Sequence, residues 1–525
     1  MNTKQRRFGV VLAALALLAS ACGGGSSDTE DAGSSDSAAT GTVDPNGVLN
    51  VGYVIPALPL DPHKPTSDNA QFPYASLVYD RLTQIAAGPK LEPMLAESWD
   101  FAEDGLSVDF HLRDGVTFSD GTALDANAVK LSLERAAFDP ESTVTGRFTM
   151  IDSIEVVDDL TVRINTNRKA ADLPYALAGT AGSIIAPDAL DNSDLDVNPV
   201  GSGPYKVTEL KLGEKATFER RDDAWDPEDA PAKTINILAL SDDNARVSAL
   251  RSGQVDLILA YNNQASQIEA LGDGFELHTF PPSQTWNVFL NNNVSPFDNV
   301  QVRQALNYAI DRDGINKSLF DGYCEPITQP LAPGTQGYVE TPPVDYSYDP
   351  DKARELLAEA GYSDGFSTKL LVGRDLPSHQ AIATAVQAQL KEIGVDLEIV
   401  QEDAAQAPAV YAQGTYGAYV QTRVASATPL ATLSSNFTPP RYPGPLPQEF
   451  SDSLTTAFDP NLGEADVTAA LEKVSSVANE DALDIFICAY PTMMASSDHI
   501  TGVDDMGTAF YSGLLDLRQV SVLTK

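Results

Sequence analysis

Histidine and cysteine are the side chains that most often carry nucleophilic, acid–base or metal chemistry, and this sequence has five of the first and three of the second. His63, His111, His278, His379 and His499 are scattered, without the pairing that would bind a metal or set a base beside a nucleophile. There is no G-x-S-x-G elbow, no H-E-x-x-H, no phosphate-cradling G-x-x-x-x-G-K-S/T and no G-x-G-x-x-G after a strand. Each histidine is expected in a loop or on the surface. His63, in a Pro-rich segment, is kept as a candidate ligand contact. The pattern predicts no catalytic set, no metal site and no cofactor.

Cys22 has a different context from the other two cysteines. Lys4, Arg6 and Arg7 precede an apolar run from Val10 to Ala19, of secretory-signal length and short of the ~20 residues that span a bilayer. The run ends in Leu18-Ala19-Ser20-Ala21-Cys22, which resembles a bacterial lipobox with Ala19 where Leu is favoured. Residues 1–21 are expected to be a signal peptide and Cys22 the lipidated residue. The alternative is an ordinary signal peptide cut near Ala21, which leaves an unmodified thiol. From Gly23 to Gly41 every residue is Gly, Ser, Thr, Ala, Asp or Glu, too polar to offset the entropy of ordering. Residues 22–46 therefore read as a tether, with a reach of roughly 25 Å. Cys324 and Cys488 have no His or second Cys within a few residues, which leaves a disulfide or two separate buried thiols; export favours the bridge.

Length and charge bound the remainder. At about 150 residues per domain, 525 residues give roughly three to four core-sized units. Its 34 Lys+Arg against 74 Asp+Glu leave a net charge of −40, a field that repels nucleic-acid phosphates and anionic lipid surfaces. Hydrophobic residues at 43% supply material for several cores. No later apolar stretch reaches membrane-spanning length, so the rest of the chain is expected to be soluble and extracytoplasmic.

The elements that must position any site alternate between two periods, which argues for a mixed α/β architecture. Leu106, Val108, Phe110 and Leu112 alternate with polar residues up to Asp114-Gly115, as do Leu160, Val162 and Ile164, predicting two antiparallel strands of a small β-rich unit. Asp349-Pro350 opens a helix that Gly361 should stop. Val302, Ala305, Leu306 and Ala309 form one helical stripe. Ile382, Val386, Leu390 and Ile393 form another, followed by Gly394 and the strand-like 395–399. Residues 242–251, Gly253 and 255–259 repeat the order of helix, cap and buried strand. Such units build open sheets covered by helices.

Several segments occur in a fixed order: Leu91 to Trp99, Leu112 to Thr122, Val129 to Arg135, Pro199-Val200-Gly201-Ser202-Gly203-Pro204-Tyr205, Ala249 to Asp256, and Pro296 to Asp311. Together they resemble extracellular solute-binding proteins of family 5, the peptide and nickel class of receptors for ABC importers, from about Val48 to about Leu517. The resemblance implies a two-lobed, periplasmic-binding-protein-like clamshell of type II. Lobe one would comprise 47–282 plus 489–525, with 77–197 as an inserted subdomain, and lobe two 283–488. It also implies a site between the lobes. By position Arg374 resembles the arginine that peptide-binding relatives present to a ligand carboxylate, the alternative being a surface or interlobe ion pair. Arg423 falls near where relatives carry acids that grip a ligand ammonium, but Val424 to Pro429 contains none. Trp286, just past the implied crossing, and Phe72, before the first helix, are candidate apolar walls.

The expected function is an extracytoplasmic receptor, anchored to the cell membrane by Cys22. It would be a monomer that captures a peptide or peptide-like solute and delivers it to ABC permease transmembrane subunits. A non-peptide anionic or neutral solute is the alternative, prompted by the missing acid beside Arg423. From a different class, an anchored hydrolase would share the signal and tether but needs a nucleophile that the sequence does not display.

Overall fold

Alternation between Leu106 and Leu112 becomes the strand Ser107–Leu112, which pairs antiparallel with Thr161–Thr166 so that Val108 faces Ile164 and Phe110 faces Val162. These four residues are buried, as period-two patterning requires. Flanked by Ala96–Phe101 and Ile151–Asp158, they complete a four-stranded sheet packed by the helix Ala126–Phe138, whose N-cap Asp125 accepts the Ala128 amide. The computed structural model describes residues 41–65, 68–87, 90–192, 194–228, 230–404, 406–426, 428–439, 441–507 and 514–524. The expected signal peptide and Cys22 lie outside the described residues.

Helix punctuation follows the sequence. Asp349 caps Pro350–Glu359 through the Lys352 amide, and Gly361 adopts φ +91°, a left-handed conformation that ends the helix without a Cβ clash. Asp242 caps Asp243–Arg251. The stripe from Ile382 to Leu390 lies within Pro377–Glu392, followed by the strand Val395–Glu402.

One large sheet runs through the molecule. Its order is Val395–Glu402, Phe366–Gly373, Ala418–Arg423, Phe275–Leu290, Asp484–Ser497, Leu257–Ala260, Val48–Tyr53, Thr234–Ala239, Lys215–Arg220, Tyr205–Lys211, with Glu325–Pro326 paired off this path. The two long antiparallel strands in the middle, Phe275–Leu290 and Asp484–Ser497, belong to both halves. Their register breaks where Pro282 faces Pro491, because proline has no N–H to give the ladder. On one side of this break an apolar core unites the inserted four-stranded unit with the sheet carrying Leu49, Val51 and Ile235. On the other side lie separate cores around Val288, Leu370 and Val386, and around Leu433, Phe450 and Val474. The result is a two-lobed α/β clamshell.

The segments in fixed order turn out to be scaffold. Gly201 and Gly203 press on the backbone of Val78, where a Cβ would come within 2.3 and 2.5 Å of its atoms. Arg303 bonds the carbonyls of Phe297, Asp481 and Ala482, and Arg312 those of Asn307, Ile327, Tyr346 and Phe486. Cys324 and Cys488 are joined, with Cα atoms 5.4 Å apart at a sequence separation of 164. In the chain-entropy picture such a loop adds up to about 5 kcal/mol. Both cysteines lie in the lobe-two core, so the bridge does not tie the lobes together.

Candidate functional site

The parallel strands of both lobes end at the junction. In lobe one, Leu257–Ala260 runs antiparallel to the second long strand, and its last residue, Ala260, faces Met493, two residues from Pro491. Val48–Tyr53 and Thr234–Ala239 run parallel to it. In lobe two, Arg423 ends its strand opposite Thr285, close to Pro282, and Phe366–Gly373 and Val395–Glu402 run in the same direction. Ligands of open α/β sheets gather outside the carboxyl ends of strands. Here both sets of ends point at the same pair of crossings.

Trp286 stands on the first crossing. Its ring stacks on Tyr490 of the second crossing, centroids 5.8 Å apart, and meets His379 edge-on at 4.7 Å. Tyr490 donates its hydroxyl to Gln284 Oε1 at 2.9 Å, and burial, with the nearby Tyr261 phenol, raises its pKa. Tyr261 follows the lobe-one strand end and is 43% exposed. Gln421 accepts the Thr422 amide at Oε1 and donates from Nε2 to the Tyr419 hydroxyl, which fixes its amide orientation. His379 therefore donates Nε2–H to Gln421 Oε1 at 3.1 Å and keeps Nδ1 as an acceptor. Burial holds the His379 pKa below its ordinary value, so the ring is neutral at neutral pH. Trp286 is itself 7% exposed and belongs to the lobe-two core, while Tyr490, His379 and Gln421 are half-buried, so the junction presents aromatic, amide and imidazole edges of a kind that can contact a solute.

Arg374 is exposed immediately after the strand Phe366–Gly373, on the loop that leads to His379. Its amide bonds the Glu402 carbonyl at 2.6 Å, the next residue, Asp375, takes φ +61°, and among the described residues its guanidinium has no ion pair. Three expectations need correction. Arg423 is buried: its Nε meets Asp484 Oδ2 at 2.6 Å, it bonds the Asn436 carbonyl, and it lies between the rings of Phe289 and Phe437. With an internal acid already engaged, it holds lobe two together instead of contacting solute. Phe72 is 1% exposed beneath Arg81, so protein and not a crevice covers it. His63 is wholly buried, with Nε2 3.2 Å from the Ser183 carbonyl.

His278 is also buried, against the expectation of a surface position. It contacts Asp504 Oδ1 and Ser496 Oγ, both at 2.8 Å, and with Glu276 forms a carboxylate–histidine group whose ligand-type atoms lie within 4.8 Å. Both ring nitrogens are thus engaged within the protein. Tyr490, His379, Gln421 and Tyr261 were not singled out by the sequence. Their only local signal is position, since Tyr261 directly follows a strand and His379 lies in the first turn of a helix.

Two lobes sharing one sheet, with their strand ends converging on an aromatic and polar junction, define a solute-binding clamshell receptor. The model of the bacterial extracellular solute-binding proteins, family 5 middle region, matches residues 90–442. A glutathione-binding protein, GsiB, of Pectobacterium atrosepticum is 33% identical over 365 residues, 69% of this chain and 70% of that protein. The periplasmic binding protein DppA from Helicobacter pylori, solved with the peptide STSA, superposes with a TM-score of 0.76 at 25% identity, covering 91% of this chain and 98% of DppA. AgaA from A. tumefaciens R10, in complex with agropinic acid, gives a TM-score of 0.74 at 26% identity, covering 91% and 99%. The chain belongs to the family 5 extracellular solute-binding proteins. It is an extracytoplasmic receptor that passes a small solute to the permease subunits of an ABC importer, a transport protein and not an enzyme.

Proposed function

We propose that the receptor binds a peptide or peptide-like solute bearing a free carboxylate, with Trp286 and Tyr490 as the apolar wall and Arg374 as the carboxylate contact. The observation that carries this reading is Arg374, exposed at the end of the strand Phe366–Gly373 in the segment that leads to His379, whose ring meets Trp286, and without an ion pair among the described residues. The ligands of GsiB and DppA, glutathione and a peptide, support it. Agropinic acid in AgaA supports a second reading, a non-peptide acid, and so does the absence of an acid from Val424 to Pro429, where a peptide ammonium would need one. On either reading the lobes divide as 47–282 plus 489–525 and 283–488, with 77–197 inserted. Cys22 carries the lipid anchor, and the receptor acts as a monomer.

Native mass spectrometry of protein purified without refolding should reveal a retained small acid or peptide. Calorimetric titration of that solute should show an affinity loss of about tenfold or more in Arg374→Ala, the scale of one charged hydrogen-bonded contact. Equal affinity would remove Arg374 from the site, and a captured solute without an acid group would overturn the reading.

A further inference from the structure

The strand Phe275–Leu290 sets Glu276 and His278 two residues apart, a spacing that puts both side chains on one face. Asp504 reaches the same place from the segment after the strand Ile500–Thr501. One oxygen of each carboxylate and a ring nitrogen of His278 lie within 4.8 Å of one another. The His278 ring is 6% exposed and held from both sides, by Asp504 Oδ1 at Nδ1 and by Ser496 Oγ at Nε2, each at 2.8 Å. Glu276 and Asp504 are exposed, so their carboxylates are free to draw in. An ion about 2.0–2.2 Å from each donor in a tetrahedron asks for donors roughly 3.3–3.5 Å apart, which is within reach of such side chains. The other histidine–carboxylate contacts, His111 with Asp100 and His499 with Asp498, join a single acid to a ring that is nearly half exposed.

Ser496 suits this ring to a ligand's role. Nδ1 faces a carboxylate, which only accepts, so it carries the ring proton when no ion is bound. As an ion ligand Nδ1 gives that proton up through solvent, Nε2 carries one instead, and the Ser496 hydroxyl accepts as readily as it donates. The ring keeps its orientation in both forms, as the outer hydrogen bond of a metal-ligating histidine ensures.

We propose that Glu276, His278 and Asp504 form a binding site in lobe one for a divalent transition-metal ion, Zn²⁺ first. Two carboxylates offset the charge of the ion, the imidazole nitrogen favours it over Ca²⁺ and Mg²⁺, and water completes the shell. The field of a chain of net charge −40 raises the concentration of cations around it. The ion would fasten the first long strand to the segment of Asp504, whose neighbours Val503 and Met506 pack in the lobe-one core. Binding to the folded chain alone would then stabilise the lobe. The spacing of histidines and acids in sequence gave no sign of this site because Asp504 lies 226 residues from His278. The site is independent of the solute reading, and its test needs no solute.

The full chain, stripped with EDTA and dialysed, is titrated with zinc chloride and, separately, with calcium chloride by calorimetry, and its melting is followed by circular dichroism with and without Zn²⁺. A single Zn²⁺ should bind per chain, more tightly than Ca²⁺, and should raise the melting temperature. Asp504→Asn and Glu276→Gln should each weaken Zn²⁺ by about tenfold or more, and Ser496→Ala, which removes only the outer partner of the ring, by about tenfold. Asp504→Asn should also lose the rise in melting temperature. His278→Gln should abolish the site; should that buried substitution prevent folding, the two exposed acids decide the matter alone. No saturable Zn²⁺ binding, or Zn²⁺ affinity unchanged in both Asp504→Asn and Glu276→Gln, would overturn the proposal. Ca²⁺ binding as tightly as Zn²⁺ would overturn it too, since diffuse attraction to exposed acids would then suffice.

Discussion

At the scale of single residues, the decisive contrast is among arginines. Arg374 and Arg423 both lie at the carboxyl ends of lobe-two strands, yet one is exposed with no ion pair among the described residues and the other is 2% exposed against Asp484. Removing one partner of a buried pair leaves the other charge uncompensated, at a cost of about 3–5 kcal/mol. Arg423→Ala should therefore lower the denaturant midpoint sharply, and solute affinity measured well below that midpoint should change little. A large affinity loss with unchanged stability would reverse the roles assigned here. His63 makes a pH-dependent contribution. Burial, and then the positive charge of Arg135, hold its pKa at about 4 against an ordinary 6.5. The unfolded chain thus takes up this proton at a higher pH than the folded one. The stability it contributes is complete above about pH 6.5 and is lost as pH falls towards 4, by up to roughly 3 kcal/mol. Urea unfolding at pH 7.5 and pH 5 should show a steeper pH dependence in the wild type than in His63→Gln; identical slopes would exclude His63 as the source.

At the scale of elements, the inserted unit of lobe one meets the short loop between the helices Gln448–Ala457 and Glu464–Glu480 of lobe two. There Asp459 pairs with Lys169, the Phe458 carbonyl accepts the Ala171 amide at 3.2 Å, Arg168 lies 4.2 Å over the Phe458 ring, and Asn461 reaches the Glu103 carbonyl at 3.1 Å. If the lobes part at the crossing, these contacts break, so they are expected to act as a catch on the closed state. The ion pair is partly exposed, which limits its worth to about 0.2–1 kcal/mol. Asp459→Ala should accordingly speed solute release by at most about fivefold, read by stopped-flow displacement, with the association rate unchanged. A slower release would show that the pair does not hold the closed state.

At the scale of the whole molecule, one sheet threads both lobes and its register shifts on either side of the point where Pro282 faces Pro491. Two prolines opposite one another leave that point with the fewest ladder hydrogen bonds, while each lobe keeps its own core. Motion is therefore expected to concentrate at the crossing, as rigid-body closure about a hinge. A saturating solute should reduce the radius of gyration in small-angle scattering, and an unchanged radius across the titration would count against a clamshell.

Much of this was legible in the sequence. Caps such as Asp349 and Asp242, the stop at Gly361 and the alternation through Phe110 act over a few residues, so the local chain determines them. The ordered segments that mark the family were legible as motifs, but what their residues serve was not: Gly201 presses on Val78, and Arg303 bonds the Asp481 carbonyl 178 residues away. The site was not. Arg423 finds its acid 61 residues away, and Trp286 finds Tyr490 and His379 on two other elements. Whether a guanidinium faces solvent or a buried carboxylate depends on long-range packing, and only the tertiary fold decided that for Arg374 and Arg423.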